Sequence, residues 1–355
     1  MNSYYVFMRL INVINFELLN LLELCKRRIY MKIVANFSVF PAQHCETAAS
    51  KSLLLQENID FSEPMMLGVS QGFGFIYWKM SFMSLPFIGG RAKPFELTRM
   101  FCENMGFEVD ERQTTSKKKA WKNVTDFIDQ GIPVGLQVDC YHLEHFKHSF
   151  HFAGHFISVY GYDSTHAYVF DTGKNYKVSL ENLEKARFEK GSMASKARSY
   201  TIKNGTNVSD IKNVIPRAVR EIANGFLNPP LNCFGYKGII KLSNEMLNWL
   251  EDAPNPKKDL CDQADIMENG GTGGAIFRNF FRDFLYECLH YLPGNDFIHK
   301  AAELYKQAAI NWTEIAKLII KAGNTNEKIY LEKASGICLE TAQIEKEAME
   351  LLNKV

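Results

Sequence analysis

Eight cysteines lie scattered through 355 residues without a single C-x-x-C pair or a regular spacing. That excludes a disulfide-framed secreted scaffold and the common zinc-finger patterns, and it suits free thiols in a reducing cytoplasm. Charge of one sign is lacking too. The 41 Lys and Arg against 40 Asp and Glu leave a net +1, so no field draws nucleic acid or an anionic membrane. Long apolar runs are missing. Val6 to Leu22 is apolar overall, but Arg9, Asn12, Asn15, Glu17 and Asn20 interrupt it, which rules out a membrane-spanning helix. Its basic cluster, Lys26, Arg27 and Arg28, follows the apolar part instead of preceding it, and no small-residue cleavage site comes after, unlike a signal peptide. Met31 opens a segment that reads as the start of a domain. Residues 1–30 are therefore expected to be an N-terminal extension outside the core fold. No repeat of fixed period runs through the chain, which excludes a solenoid.

The composition is otherwise that of a folded protein, with 46% hydrophobic and 13% aromatic residues, and the length suits two domains. Helices are expected over 45–58, 94–105 and 117–130. The last carries Trp121, Val124, Phe127 and Ile128 at helical spacing and is stopped by Gly131. Residues 61–90 read as an irregular segment rich in glycine and aromatics, fit to line a groove with Trp78 or to form a surface loop. Strands are expected at 107–112, 132–138, 155–162, 167–171 and 176–180, with a short helix at 183–188. Helix first and sheet later is an α+β order. Beyond about residue 205 the chain turns helical, with 3.6-residue apolar patterns over 211–223, 238–249, 276–292, 296–320 and 326–352. The expected domains are thus 31–205 and 206–355.

The candidate chemistry starts at Cys45. An extended segment containing Pro41 runs into the helix that Cys45 opens, and the N–H groups and positive dipole end at such a start favour an anion, here the thiolate. A buried structural cysteine is the competing reading. A cysteine nucleophile needs a base and a group that orients it. His155 opens one strand and Asp171 closes the next. Side chains alternate along a strand, so register decides whether they meet. A regular ladder closed by the loop Asp163-Ser164-Thr165-His166 sets Asp171 opposite Ser158, on the wrong face. The pair therefore requires an odd loop or a β-bulge. Glu46 and Asp139 are candidates to bind a cationic amine near Cys45, although Glu46 in the first helical turn also suits the dipole.

Two other features invite a ligand reading. His142, His145, His148, His151 and His155 recur every three or four residues, a spacing that suits zinc on a helix. Gly154, Phe146, Phe150 and Phe152 argue against a long helix there, and no H-E-x-x-H pattern is present. The histidines are expected to be loop residues, and no metal or other cofactor is expected. The turn Asn269-Gly270-Gly271-Thr272-Gly273-Gly274 precedes a helix as a phosphate loop does, but no Gly-Lys-Ser/Thr ends it, and a tight connector is the preferred reading.

Several stretches resemble the family of butirosin biosynthesis protein H. They are Gln43-His44-Cys45-Glu46-Thr47-Ala48, Ser62-Glu63-Pro64-Met65-Met66-Leu67-Gly68 and Gly72-Phe73-Gly74-Phe75-Ile76-Tyr77-Trp78. Gly131-Ile132-Pro133-Val134, Val138-Asp139, His155 through Asp163, and Val169-Phe170-Asp171 continue the likeness. The helical half resembles the domain often attached to that family, at Gly238-Ile239, Trp249, Gly271-Thr272-Gly273-Gly274, Phe277-Arg278 and Trp312. The resemblance implies a papain-like cysteine-enzyme domain, a helix packed on an antiparallel sheet, followed by an all-α domain. It implies acyl transfer from the thioester of a carrier protein or coenzyme to a small amine, as the family's named member performs on an aminoglycoside. Cys45 is then the nucleophile, His155 the general base and acid, and Asp171 the orienting acid. Papain-like enzymes place an oxyanion-binding Gln several residues before the cysteine. Gln43 stands only two before, so its side chain and the Cys45 N–H are both candidates. A peptidase or amidase, and a binding module with a structural Cys45, are the rival readings. A carrier protein or other thioester donor, a small amine and a second copy of the chain are the expected partners; nucleic acid and membrane are not.

Overall fold

The computed structural model describes residues 31–80, 83–91, 93–146, 151–191, 193–270 and 273–355. The expected extension, residues 1–30, lies outside them. The fold is α+β, an antiparallel sheet region followed by a helical region. Among the described residues no helix is long and apolar enough to cross a membrane.

Contacts divide the chain into two compact units that interleave in sequence. One takes the described residues up to Asp60 together with Val109–Ile202; the other takes Phe61–Glu108 together with Lys203–Val355. The second crossover, between 202 and 203, falls close to the change of character read near residue 205. The first was not legible. Residues 61–108 pack with the helical unit because their apolar side chains are matched there: the Phe73 ring stacks on Phe281 at 4.3 Å and 8°, and Gly68 lies so close to Phe284 that a Cβ would come within 2.3 Å of its ring.

In the first unit a seven-stranded sheet runs in the order β4-β9-β5-β6-β7-β8, with β1 paired to β6. These strands are β1 (Lys32–Ile33), β4 (Glu108–Arg112), β5 (Val134–Val138), β6 (His155–Tyr162), β7 (His166–Asp171), β8 (Lys174–Ser179) and β9 (Ser199–Lys203). Strand β9, absent from the sequence reading, pairs with β5. One helix, α1 (Cys45–Gln56), lies against β6. Ala48, Ala49 and Ser52 are all at most 2% exposed, so the backbones approach closely. Ser52 and Ser158 hydroxyls bond at 2.6 Å, and Ser158 Oγ donates to the Ala49 carbonyl at 3.1 Å. The expected apolar stripe of the helix over Lys117–Ile128 does enter the core: Val124, Phe127 and Ile128 pack with Val134, Leu136, Ile157, Val159 and Val169.

The second unit begins with α2 (Glu63–Val69), β2 (Ile76–Trp78), β3 (Phe87–Gly89) and α3 (Glu96–Met105), where 61–90 was expected to be irregular. The Ser62 hydroxyl accepts from Met65 N–H at 3.0 Å, and Glu63 and Pro64 fill the first turn, a helix start in the usual sense. Helix α4 (Lys117–Ile128) and α5 (Leu180–Phe188) belong to the sheet unit, and the helical unit resumes with α6 (Ile211–Leu227), α7 (Gly235–Glu245), α8 (Trp249–Asp252), α9 (Pro256–Asp265), α10 (Ala275–Tyr291), α11 (Asp296–Thr325) and α12 (Lys328–Leu352). Helix α9 was not among the expected helices, since few of its positions are apolar; Leu260 and Ala264 alone carry its buried apolar face.

An ion pair stands at the centre of this unit. Arg278 and Glu345 are both fully buried and meet at 2.9 Å. Trp312 Nε1–H donates to Glu345 at 2.6 Å, and the Arg278 guanidinium lies 4.6 Å from the Trp312 ring centroid. Arg278 also donates to the Gly273 carbonyl at 2.6 Å, and Ala275 N–H donates to Glu268 at 2.8 Å. The glycine-rich turn is thus tied by a guanidinium, and a carboxylate already takes an N–H at the start of α10. Gly271 and Thr272 lie outside the described residues.

Candidate active site

Cys45 is the first residue of α1 because His44 caps it. His44 is extended, with φ −123° and ψ 128°, and Nδ1 accepts from Thr47 N–H at 3.4 Å, while Thr47 Oγ1 donates to the His44 carbonyl at 3.1 Å. Capping by an imidazole nitrogen replaces the usual Ser, Thr, Asp or Asn. The segment leading to Cys45 is held on β7 by aromatic contact. Phe40 meets Phe170 at 4.9 Å between centroids, and Phe37 meets it at 6.0 Å. Gly173 lies beneath the same segment, where a Cβ would stand 3.1 Å from the Ala42 nitrogen. Phe170 precedes Asp171, so the strap that delivers Cys45 is fastened one residue from the carboxylate.

His155 and Asp171 are brought together by the bulge that the register required. Tyr162 pairs with Ala167 and Gly161 with Tyr168, but Val159 pairs with Val169 and Ser158 with Phe170; the ladder shifts between Val159 and Gly161. Asp171 thereby shares a face with His155. The Nε2–H of His155 donates to Asp171 Oδ2 at 2.9 Å, and both side chains are less than a tenth exposed. With Nε2 so engaged, Nδ1 is the nitrogen left to exchange a proton. Phe146 meets the His155 ring edge-to-face at 5.3 Å and 90°.

The electrostatics follow from burial and these partners. Burial opposes charge on His155, yet the Asp171 carboxylate above all, with the sulfurs of Cys140 and Cys45 nearby, holds its pKa well above the ordinary histidine range. Burial likewise works against the Asp171 carboxylate, but the His155 charge and hydrogen bonds from His145, His155 and Thr172 hold its pKa well below the usual carboxylate range. Two sulfurs therefore lie near one imidazole. Cys140 hydrogen-bonds His155, but burial pushes its thiol pKa up, and it is 2% exposed. Cys45 is partly exposed at the helix start.

Three groups around the carboxylate escaped the sequence reading. His145 Nε2 lies 2.7 Å from Asp171 Oδ2. Thr172 Oγ1 donates to the other oxygen, Oδ1, at 2.7 Å. Cys140 touches the His155 ring from the turn after β5. His145 stood in plain view in the histidine run, but only its partner across 26 residues gives it a role, and spacing does not reveal that.

The other candidates fall variously. Gln43 is exposed in the bend two residues before Cys45. Asp139 is 2% exposed and caps the turn after β5, accepting from Tyr141 N–H at 2.8 Å; His151 Nδ1 stands 3.5 Å from the same oxygen. Glu46 is 0% exposed, so it meets no solute in this structure and serves the first turn of α1. Trp78 is 43% exposed and belongs to the helical unit. The histidines do not converge on a helix: His142 pairs with Glu189 at 2.6 Å, His145 and His155 with Asp171, and His151 stacks on Tyr141 at 4.1 Å. His148 lies outside the described residues. Among the described residues no three His, Cys, Asp or Glu side chains group as metal ligands.

Comparison with known families gives two matches. Residues 44–172 match the family described as butirosin biosynthesis protein H, N-terminal, and residues 181–352 match a domain of unknown function, DUF4872. No curated protein matches the chain. The first match runs from the residue before Cys45 to the residue after Asp171.

Proposed function

We propose, for a chain that belongs to the butirosin biosynthesis protein H family, that the first unit is a papain-like, thiol-dependent acyltransferase. The observation that carries this reading is the 2.9 Å bond between His155 and Asp171 beside a partly exposed cysteine at a helix start. Cys45 as thiolate attacks the carbonyl carbon of an acyl thioester carried by a protein or coenzyme. The tetrahedral oxyanion sits against the Cys45 N–H, one of the unpaired donors of a helix start, with the Gln43 amide as a second candidate donor. As the intermediate collapses, the C–S bond to the donor breaks and the imidazolium of His155 protonates the departing thiolate. Neutral His155 then takes a proton from an amine as its nitrogen attacks the acyl-Cys45, and the Cys45 thiolate leaves. Asp171 holds the ring so that Nδ1 faces the reacting atoms throughout.

The test is incubation of the full chain with acyl thioesters followed by intact-mass analysis. Wild type gains one acyl group, discharged by an added amine, and Cys45→Ala gains none. Acylation elsewhere in Cys45→Ala, or no acylation of wild type by any thioester, overturns the reading. Release of acid instead of amide, or cleavage of a peptide without an amine acceptor, turns it to the hydrolase.

A further inference from the structure

Two histidines from different parts of the chain meet a single carboxylate oxygen. His155 opens β6; His145 comes from the turn between Cys140–His142 and β6. Their Nε2 atoms lie 2.9 and 2.7 Å from Asp171 Oδ2. A carboxylate oxygen only accepts, so both Nε2 atoms bring a hydrogen. The His145 ring lies flat on Tyr176 of β8, with centroids 3.9 Å apart and planes 10° from parallel, and its side chain is 11% exposed. Its Nδ1 is buried and has no hydrogen-bond partner among the described residues. A hydrogen on Nδ1 would be a stranded donor, which protein interiors avoid. The bare lone pair is the form that fits.

We propose that His145 is a positioning residue of the site: as the Nε2–H tautomer it donates to Asp171 without adding charge, fixes the carboxylate, and moderates that carboxylate's hold on His155. The inference rests on the reading of Cys45, His155 and Asp171 as the reacting triad. Among the described residues, the titratable groups facing these two histidines include Cys45 from α1, Cys140 from the turn after β5, Asp171 from β7 and Tyr176 from β8. A carboxylate given wholly to one imidazolium grips its proton. The acyl-transfer cycle needs His155 to release that proton in the first half-reaction and to regain one in the second, and a second donor on the same oxygen lowers the oxygen's basicity toward it. Thr172 Oγ1 holds the other oxygen, so the carboxylate cannot rotate to escape the shared contact.

Histidine ¹⁵N spectra of the full chain, recorded across pH, read the tautomer of His145 and the titration midpoint of His155 without any acyl donor. His145→Phe keeps a ring on Tyr176 and removes the donor; His145→Gln keeps an N–H. Wild type is expected to show His145 with hydrogen on Nε2 and none on Nδ1. In His145→Phe the His155 midpoint is expected to rise, with a proton-binding constant larger by about three- to tenfold, and His145→Gln to restore it toward wild type. An Nδ1–H tautomer, or a midpoint unmoved or lowered in folded His145→Phe, overturns the proposal. If His145→Phe fails to fold, the wild-type tautomer and the midpoint of His145→Gln decide: Nε2–H with a wild-type midpoint supports the proposal, and an Nδ1–H tautomer or a displaced midpoint overturns it. A wild type that shows these spectra but never acylates removes the transferase reading and leaves the placement of His145 standing.

Discussion

His155 Nε2 lies 2.9 Å from Asp171 Oδ2, and the contact exists because the ladder between their strands slips at Tyr160. Carried on in the register of Tyr162 and Ala167, the ladder would set Asp171 opposite Ser158. The Ser158 side chain points toward α1, where it bonds Ser52 and Ala49. The slip keeps Ser158 on the helix side and turns Asp171 to the histidine.

Of the two sulfurs near that histidine, only one is expected to carry an acyl group. Cys140→Ala should still gain the acyl mass on incubation with a thioester, and Cys45→Ala should not. Burial pushes the Cys140 thiol pKa up, whereas Cys45 is reachable. Intact mass and peptide mapping give the result; an adduct on Cys140 in wild type reverses the assignment.

Asp171→Asn removes the charge that raises the His155 pKa. The His155 titration midpoint should fall, and acylation of Cys45 should slow by roughly 10²- to 10⁴-fold. Single-turnover acylation and histidine spectra read the two effects separately. A variant that acylates at the wild-type rate removes Asp171 from the mechanism.

The same pair makes stability depend on pH in two windows. Asp171 is held below its unfolded pKa, so its contribution is present above about pH 4 and is lost as pH falls through the folded value. His155 is held above its unfolded pKa, so its contribution is complete below about pH 6.5 and is lost as pH rises through the folded value. Urea melts across pH should show wild type losing stability at both ends, and Asp171→Asn showing a flatter profile.

Thr172 carries φ +41° and Gly173 φ +87° in the two-residue turn between β7 and β8, which pair up to Asp171 and Lys174. A β-branched residue is strained there, and Asn-Gly is the favoured pair in such a turn. Thr172→Asn should raise stability by about 1 kcal/mol and slow acylation, since the bond to Asp171 Oδ1 is lost. Melts and single-turnover rates check the two halves, and a variant that gains neither stability nor loses rate counts against a held carboxylate.

In the helical unit, Glu345→Ala leaves Arg278 charged and fully buried with its carboxylate gone. The expected loss is about 3–5 kcal/mol. Replacing both, as Arg278→Met with Glu345→Leu, should cost much less than the single change. Urea unfolding of wild type and the two variants measures the difference.

Helices with a clean apolar period were readable from the residues alone. Lys117–Ile128 shows its stripe, and the long helices Asp296–Thr325 and Lys328–Leu352 appear within a few residues of their ends. Their inward faces repeat at 3.6 residues, and that signal is local. Strand β9 and helix α2 were missed for opposite reasons. Ser199–Lys203 is short and gains its identity from pairing with β5. Glu63–Val69 did carry a Ser62 cap and a first-turn proline, but the glycines and aromatics that follow masked it. The requirement for a bulge between His155 and Asp171 could be derived from side-chain parity, whereas its position at Tyr160 depends on how β6 meets its neighbours. The exchange of 61–108 into the helical unit and the partner of His145 depend on contacts between segments far apart in the chain, which no local pattern encodes.

The slip at Tyr160 also restricts how this hairpin can change in length. Adding or deleting one residue in either strand between the histidine and the aspartate either abolishes the existing irregularity or demands a second. Relatives that keep both the paired side chains and the bulge should therefore differ here by even numbers of residues, and engineered grafts into this loop should be cut to the same parity.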